Sequence, residues 1–295
     1  MKPSSSAPFS CRFWARGRLI ECHERPLIMG VINVTTDSFY DGGRYLDPQR
    51  AVAHALELVE QGADILDIGA ESTRPGAKPV SEEEERARLL PVLDLVARRV
   101  TVPISVDTTK SAVAQAALDA GASIINDISA LRGDSRMASV VARSGAAVIL
   151  MHMQGTPLTM QDAPHYEDVV REVGQFLQER LQVAMEAGIS RMNILLDPGI
   201  GFGKLLPHNL DLLNRLTEFT KLGRPLVVGP SRKSFIGQIV GRPVEQREWG
   251  TAAAVAVAVD RGARILRVHD VAMMADVAKV AAAIASRNRS GEVGG

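Results

Sequence analysis

Residues 118–129, LDAGASIINDIS, contain the unit that decides the fold. A helical pattern ends at Gly121, and glycine stops helices because it adopts a left-handed conformation without a steric penalty. A short apolar run, residues 124–129, follows at once. A run this short and this continuously apolar is typical of a parallel strand that is buried on both faces. The stretch therefore predicts a helix, a glycine and a buried strand in succession.

The same succession recurs along the chain, in phrases such as QGADI at 61–65, SGAAV at 144–148 and RGARI at 261–265. Apolar runs predict strands at residues 27–33, 65–70, 103–108, 124–129, 146–151, 194–199, 226–231 and 265–270. Helical periodicity fills the intervals, at residues 48–61, 81–99, 110–120, 135–144, 167–187, 210–222, 250–261 and 271–286. Strand and helix units in this number predict an α/β fold, a single (β/α)8 TIM barrel.

An open, doubly wound sheet is the alternative architecture, because a count of strands does not establish closure. A dinucleotide-binding sheet of that kind would carry G-x-G-x-x-G after its first strand, whereas residues 33–37 are NVTTD. The barrel is therefore favoured. We expect an N-terminal extension at residues 1–26, with a short hairpin as one form for it, then a barrel domain at 27–286 and a disordered tail at 287–295.

The composition excludes several classes of function. The chain has 295 residues, and its 34 basic and 34 acidic side chains cancel, which argues against nucleic acid as the main ligand. We find neither a signal-peptide pattern nor an apolar stretch of membrane-spanning length, and so expect a cytoplasmic protein with no membrane partner. Cys11 and Cys22 have only His23 nearby, too few ligands for a zinc site, and we expect both cysteines to be reduced.

Polar residues gather where the predicted strands end. Such side chains are costly to bury unless they are paired or bind a ligand. They are Asn33, Asp67, Asp107, Asn126, His152, Asp197, Lys233, Arg267 and His269. Because the carboxyl ends of barrel strands form one rim, where the active sites of this fold lie, we expect these side chains to form an active site.

Some of the acidic residues have a structural interpretation as well. Asp67 has apolar neighbours, and a role as a hydrogen-bonded internal acid is as compatible with the sequence as a role in a site. Side chains alternate along a strand, so Asp127 is expected to face the helix layer when Asn126 points inward. The acidic run 82–85 follows Ser81 in a capping-box pattern, and we interpret it as the solvated first turn of a helix.

The predicted rim has no familiar catalytic nucleophile. The sequence contains neither a nucleophile elbow nor a P-loop nor an H-E-x-x-H pattern. It offers instead acids and amides that could hold the edge of a polar heterocycle. Its cations could hold an anion, since the forked donors of arginine suit phosphate oxygens. A flat ligand between these groups would stack on Phe202 or Arg267.

A series of motifs in this order resembles the dihydropteroate synthase family, a group of folate-pathway enzymes with a TIM-barrel fold. The similarity runs from about Leu27 to about Ala283. The motifs are MGVINVT (29–35) with DSF (37–39) and DGG (41–43), STRPG (72–76), SVDT (105–108), IND (125–127), MHM (151–153), DPGIGFGK (197–204), SRKS (231–234) and RVHDV (267–271). Any one of them is weak, but the full series at strand ends is highly specific.

The resemblance implies that the chain joins 6-hydroxymethyl-7,8-dihydropterin diphosphate to p-aminobenzoate and releases diphosphate and 7,8-dihydropteroate. The residues implied for the pterin are Asp107, Asn126, Met151, Asp197, Phe202, Lys233 and Arg267. Those implied for the diphosphate are Asn33, Thr73, Arg74, Arg267 and His269, with Asn33 as the ligand of Mg²⁺. Those implied for p-aminobenzoate are Phe39, Pro75, Ser231 and Lys233. Asp107, Lys233 and Arg267 are the implied catalytic residues.

The chemistry of such a reaction agrees with the rim. Mg²⁺ and cationic donors stabilise the charge that grows on the leaving diphosphate. The dihydropterin shares the positive charge left on its exocyclic carbon, near the expected position of Asp107, and the amine attacks that carbon. No protein nucleophile is needed. The loops after the first two strands are expected to close over the site and exclude water.

The first of these loops departs from the family pattern. Thr36 stands where the family usually has proline, and Tyr40 stands where it has serine. Without the proline the loop has more conformational freedom before it closes, which should weaken p-aminobenzoate binding mildly. Leu205 likewise replaces a common threonine. A homodimer is also implied, through helices late in the chain, with residues 252–259 as a candidate surface.

Two alternatives of different class remain open. A pterin-dependent methyltransferase shares the barrel and the pterin-binding acids but binds no diphosphate, so the Arg74 loop and the Arg267–His269 pair argue against it. A non-catalytic, regulatory paralogue would be expected to lose the metal or anion residues. Only the substitution at Thr36 favours that interpretation.

Overall fold

The computed structural model describes residues 11–23, 25–35, 40–41, 45–46 and 48–291, with only the backbone at 40–41, 45–46 and 288–291. Its strands in chain order are β1 (Arg12–Ala15), β2 (Arg18–Glu21), β3 (Leu27–Asn33), β4 (Tyr40–Asp41), β5 (Tyr45–Leu46), β6 (Ile65–Gly69), β7 (Ile104–Asp107), β8 (Ile124–Asp127), β9 (Ala147–Met151), β10 (Ile194–Asp197), β11 (Val227–Val228) and β12 (Ile265–Val268). Strands β1–β2 and β4–β5 form antiparallel pairs, and the other eight strands form one parallel sheet.

That parallel sheet is a closed barrel. Strands β3, β6, β7, β8, β9 and β10 pair in sequence order, and β12 lies between β3 and β11. A parallel bridge between Leu196 of β10 and Leu226, beside β11, joins the two ends of the sheet. The predicted TIM barrel is therefore confirmed, and the open sheet is wrong. Gly121 has a φ of 112°, as expected for a glycine that ends a helix.

The helices are α1 (Pro48–Glu60), α2 (Glu82–Ala97), α3 (Ser111–Asp119), α4 (Met137–Ser144), α5 (Val169–Glu186), α6 (Leu206–Asn214), α7 (Thr217–Thr220), α8 (Ser234–Val240), α9 (Glu248–Asp260) and α10 (Val271–Gly291). The helix predicted at 210–222 is in fact two helices, α6 and α7. Helix α8 was not predicted, because seven residues are too few to show a helical period. None of the helices in the described part of the chain is both long and apolar enough to cross a membrane.

The C-terminal end of the chain differs from the prediction. Helix α10 continues to Gly291, so residues 287–291 are helical and the disordered tail predicted from residue 287 is wrong for them. The segment contains no proline, and its arginines are good helix formers, so nothing in it ends the helix at residue 286. Residues 292–295 lie outside the described residues. The limits of the barrel domain stay a prediction.

The β1–β2 hairpin covers the N-terminal end of the barrel. Phe13 of β1 is fully buried and belongs to one apolar cluster with Met29, Ile149 and Ile265 from three barrel strands. The Arg16 amide at the hairpin turn donates to the carbonyl oxygen of Gly145 at 2.9 Å. With this end filled by apolar side chains, the opposite end, where the strands terminate, is left for polar groups.

The hairpin also overturns the expectation that the cysteines are reduced. Cys11 and Cys22 form a disulfide. They lie opposite each other at the open end of the hairpin, where the amide of Cys22 donates to the carbonyl oxygen of Cys11 at 2.8 Å. The two cysteines are close because β1 pairs with β2. Their spacing was compared in the sequence only with that of zinc ligands, and such a spacing does not show this pairing.

Candidate active site

Four of the predicted rim side chains form one buried hydrogen-bonded network. The Arg267 guanidinium on β12 donates from Nε to Asp67 Oδ2 at 2.6 Å and from Nη2 to Asp107 Oδ2 at 3.1 Å. The Asn126 amide on β8 donates to Asp67 Oδ2 at 3.2 Å. The network thus joins side chains from β6, β7, β8 and β12 across the barrel mouth. Within it, Asp107 of β7 and Asn126 of β8 are in register on neighbouring strands.

Asp67 is a hydrogen-bonded member of this network. It is fully buried, and its Oδ2 atom accepts from both Arg267 and Asn126. Its Oδ1 atom has no hydrogen-bond partner among the described residues. Asp127 faces away from this network as expected, since its carboxylate accepts from the backbone amides of Ser129 and Leu131, each at 2.8 Å.

Burial changes the titration of Asp107. Loss of solvent raises the pKa of Asp107 to about 7, even though the positive charge of Arg267 opposes that rise. The negative charge of Asp67 adds to the rise. Asp107 is therefore a carboxyl group that can gain or lose a proton near neutral pH, which is common for acids in active sites.

Asp197 occupies the opposite wall at the end of β10. Its Oδ1 atom accepts the backbone amide of Gly199 at 2.7 Å. Burial raises the pKa of Asp197 to about 6, while the Gly199 amide and the Lys233 ammonium oppose the rise. Gly199 has a φ of 69°, and a Cβ atom there would lie 1.9 Å from the carbonyl oxygen of His152, so only glycine fits this turn.

Lys233 lies beside Asp197 and over an aromatic ring. Its Nζ atom is 3.9 Å from the centroid of the Phe202 ring. The enclosure of the ammonium lowers the pKa of Lys233 to about 8, and the charge of Arg267 lowers it further. A Cβ atom at Gly201 would lie 2.9 Å from Lys233 Cδ, so this glycine leaves room for the lysine chain.

An apolar surface borders the polar network. Met151, which ends β9, and Phe202 are both buried and lie in one small cluster. The other members are Ile128, Met153 and Met160. The structure therefore brings Met151 and Phe202 together, as predicted, next to the charged groups of Lys233 and Asp197. Such a combination suits a flat ring with a polar edge.

A second polar region surrounds His269. The Nδ1 atom of His269 is 2.9 Å from Ser231 Oγ, and the amide of His269 donates to the same hydroxyl at 3.3 Å. His269 and Asn33 line one cavity of about 380 Å³. Burial, and then the charge of Arg267, lower the pKa of His269 to about 4, so its ring is neutral at neutral pH.

The β6–α2 loop brings only part of its predicted set to the rim. Thr73 is half-buried and lines a cavity of about 450 Å³ that Asp107 also lines. Arg74 and Pro75 are exposed, so the structure does not bring them to the network. The loop is held by the Gly76 amide, which donates to the carbonyl oxygen of Pro157 at 3.0 Å.

The first loop cannot be placed in the same way. Thr36, Asp37 and Phe39 lie outside the described residues, so the prediction that Phe39 frames a pocket stays a prediction. At Tyr40 only the backbone is described, as part of β4.

The side chains near Asn33 and His269 show whether the site fits the predicted Mg²⁺ ion. In residues 11–23, 25–35 and 48–287, whose side chains the structure describes, no group of three or more His, Cys, Asp and Glu residues could hold a metal ion. Asn33 would offer a single amide oxygen. Mg²⁺ typically keeps several waters and binds through few protein groups together with substrate phosphates. Asn33 therefore fits a magnesium ion carried by a phosphorylated substrate.

Lys204 is an element of the site that the sequence interpretation missed. Its Nζ atom is buried and lies 3.0 Å from His152 Nδ1 and 2.8 Å from the carbonyl oxygen of Phe202. Burial lowers the pKa of His152 to about 2, so the neutral ring can accept this hydrogen bond. Lys204 thus fixes the backbone that presents Phe202. The sequence feature that could have identified Lys204 was its position at the end of the DPGIGFGK motif.

The acidic run at the start of α2 also needs a correction. Glu85 is not solvated: it is fully buried and pairs with Lys110. The interpretation as a solvated turn is wrong for this residue because it projects toward the loop after β7. The position of Glu85 in the first turn of α2 did not by itself show which face of that helix packs against the rest of the protein.

Comparison with known proteins identifies the family. A family profile described as pterin binding enzyme matches residues 29–269. Dihydropteroate synthase from Bacillus subtilis strain 168 is 46% identical over 257 residues, which cover 87% of this chain and 88% of that protein. The chain belongs to the dihydropteroate synthase family. Its fold agrees with solved family members: Xanthomonas albilineans dihydropteroate synthase with 4-aminobenzoic acid has a TM-score of 0.87 at 48% identity, covering 93% of this chain and 98% of that chain.

A second solved structure of the family contains 7,8-dihydropteroate. Xanthomonas albilineans dihydropteroate synthase in complex with 7,8-dihydropteroate has a TM-score of 0.83 at 44% identity, and the match covers 92% of this chain and 98% of that chain. Membership of the dihydropteroate synthase family confirms the resemblance found in the sequence motifs.

Proposed function

We propose that the chain condenses 6-hydroxymethyl-7,8-dihydropterin diphosphate with p-aminobenzoate to give 7,8-dihydropteroate and diphosphate. The observation that carries the proposal is the buried network of Asp107, Asn126 and Arg267, with Asp197 and Lys233 on the facing wall. The names of the relatives support the same reaction, because they include a dihydropteroate synthase bound to 7,8-dihydropteroate.

In this proposal the pterin ring lies in the barrel mouth. The carboxylate of Asp197 accepts hydrogen bonds from ring N–H groups, and Asp107 and Asn126 bind the remaining polar edge. Lys233 donates to a ring acceptor, a role helped by a lowered pKa that makes its proton easier to share. Met151 and Phe202 contact the ring face, and Arg267 stacks on the other side.

The chemistry then requires departure of diphosphate. The bond between the exocyclic carbon and the diphosphate oxygen breaks, the arylamine nitrogen bonds to that carbon, and the nitrogen loses a proton. Arg267 and His269, with Thr73 and Arg74 from the β6–α2 loop, stabilise the leaving anion. Mg²⁺, held through Asn33, would supply further charge neutralisation to the diphosphate. Asp107 stabilises the positive charge on the pterin.

The p-aminobenzoate pocket is proposed to contain Phe39, Pro75, Ser231 and Lys233. The Ser231 hydroxyl contacts His269, so this pocket adjoins the anion region. Arg74 and Pro75 are exposed in the structure, and the proposal therefore includes a movement of the β6–α2 loop toward the bound substrates.

A homodimer and a cytoplasmic location belong to the proposal as well. The dimer is supported by apolar side chains on the outer faces of helices late in the chain. Trp249 of α9 is 75% exposed, and Ile284 and Val280 of α10 are 62% and 60% exposed. Large exposed apolar residues on neighbouring helices are typical of a subunit interface.

A thermal-shift experiment separates the proposal from the methyltransferase alternative. Pterin ligands with and without a diphosphate group are compared, each with and without Mg²⁺. A ligand at 100 times its Kd stabilises by about 2.7 kcal/mol, which raises the Tm of a protein of this size by roughly 5 °C. A synthase needs both diphosphate and Mg²⁺ for the full shift. An equal shift without diphosphate contradicts the proposal and favours the methyltransferase.

A further inference from the structure

A largely enclosed ion cluster lies beside the rim, outside the groups to which a role in substrate binding is assigned above. We call Glu71, Lys110 and Glu85 the Lys110 cluster. The Nζ atom of Lys110 is 2.7 Å from Glu71 Oε2 and 2.5 Å from Glu85 Oε2. The side chain of Glu85 is 0% exposed, and those of Glu71 and Lys110 are 16% and 23% exposed. A cluster this enclosed is strongly favoured only when every member keeps its partner.

The cluster joins three segments that border the site. Glu71 follows β6, Lys110 lies three residues after Asp107 at the start of α3, and Glu85 lies in the first turn of α2. The Oε1 atom of Glu71 accepts the backbone amide of Val80 at 2.9 Å. Glu71 therefore ties together the two ends of the loop formed by residues 72–79, which we call the 72–79 loop.

Among the described residues, the tip of this loop makes few contacts. Residues 74–76 are exposed, and Gly76 donates a hydrogen bond to the carbonyl oxygen of Pro157 across the cavity. The loop nevertheless carries Thr73, Arg74 and Pro75. A loop that must move at its tip and still return to one position needs a fixed base.

We propose that Glu71 and Lys110 are positioning residues: they fix both ends of the 72–79 loop beside Asp107, so that the loop delivers its groups to the diphosphate and to p-aminobenzoate. The inference rests on the proposed function. Burial raises the pKa of Glu85, although its bond to Lys110 opposes the rise. Burial opposes ionisation of Lys110, but the bonds to both acids outweigh it and raise the pKa of Lys110.

The test uses Glu71→Ala, which leaves the Lys110–Glu85 pair intact and so keeps the buried carboxylate neutralised. Amide hydrogen exchange is measured in the 72–79 loop and at Val80. Loss of a charge-assisted bond and of the Val80 hydrogen bond predicts exchange that is faster by about tenfold or more. The KM for p-aminobenzoate is expected to rise about tenfold, which corresponds to about 1.4 kcal/mol. Affinity for a pterin without diphosphate is expected to stay within about twofold, since no ring-binding residue changes.

Two further variants control for a general loss of structure. Glu71→Gln keeps an oxygen that can accept from Val80, and is expected to restore most of the protection of that amide. Arg98→Ala breaks an exposed ion pair at the C-terminal end of α2, where Arg98 Nη2 is 3.0 Å from Asp94 Oδ1. Its exchange and its KM are expected to match those of the wild type.

Either of two results overturns the inference. Unchanged exchange in Glu71→Ala means that the cluster does not hold the loop. Faster exchange with an unchanged KM means that the cluster stabilises the fold without positioning the substrates. If the wild type forms no dihydropteroate, the proposed function fails, while the exchange measurement still reports separately whether the loop is held.

Discussion

Loss of Arg267 is predicted to destabilise the fold strongly, because this residue pairs with two buried acids at once. Its Nε is 2.6 Å from Asp67, which is fully buried, and its Nη2 is 3.1 Å from Asp107. Arg267→Met keeps the bulk of the chain but removes the charge and all five donors. Breaking a buried pair in this way typically costs about 3–5 kcal/mol, since an uncompensated charge remains. We expect a loss of that size in the free energy of unfolding.

A double variant shows whether the loss of stability in Arg267→Met comes from the Asp67 carboxylate that is left without its partner. Asp67→Asn in the Arg267→Met background removes the unpaired charge while it keeps the shape of the side chain. We expect the double variant to recover about 2 kcal/mol relative to Arg267→Met alone, although Asp67→Asn by itself destabilises. Urea unfolding of the wild type, both single variants and the double variant gives the coupling free energy.

Two results would refute this reasoning. One is a loss below about 1 kcal/mol in Arg267→Met, which is the range of exposed ion pairs. The other is a double variant whose loss equals the sum of the two single losses, since the side chains then act independently. A matched control is Arg215→Met, which breaks bonds to two partly exposed acids on the outer helices and is expected to cost much less.

Three further predictions follow from burial and geometry. Burial raises the pKa of Asp107 to about 7 and that of Asp197 to about 6, so the folded chain binds these protons more tightly than the unfolded chain. Their contribution to stability therefore falls as the pH rises from about 4 to about 7, and Asp197→Asn should show a smaller fall in urea unfolding; an equal slope contradicts it. Cys11→Ser should lower the free energy of unfolding by about 2–3 kcal/mol without changing the KM for either substrate, because the hairpin covers the far end of the barrel; a raised KM would contradict this separation. Gly199→Ala places a Cβ atom 1.9 Å from the His152 oxygen, so we expect loss of pterin binding in calorimetry, and binding at wild-type affinity would show that the turn adapts.

The barrel and its rim could be predicted because both depend on local pattern. Buried strands such as β8 are indicated in the sequence by an apolar run that follows a helix-ending glycine. Parallel strands place their carboxyl ends on the same side of the barrel. Asp107 and Asn126 were therefore expected to meet, and the structure places them in register. Asp127 was expected to face outward from the alternation of strand side chains, and it does.

Contacts between distant segments could not be predicted in the same way. Glu85 is buried because Lys110, which is 25 residues away in the sequence, lies against it. The residue pattern within α2 does not predict this contact. The partner of Asp67 is Arg267, 200 residues along the chain. The Cys11–Cys22 disulfide depends on a hairpin whose strands have four residues each, too short for their alternation to be decisive.

The most direct test of the proposed reaction is product formation. Purified protein is mixed with 6-hydroxymethyl-7,8-dihydropterin diphosphate, p-aminobenzoate and Mg²⁺, and 7,8-dihydropteroate and released diphosphate are measured in equal amounts. Asp107→Asn keeps the shape of the site but removes the carboxylate that stabilises the pterin cation, so the account predicts product from the wild type and a loss of about 100-fold or more in the variant. No product from a wild-type protein that still binds the diphosphate substrate would contradict the account and leave a non-catalytic pterin-binding protein.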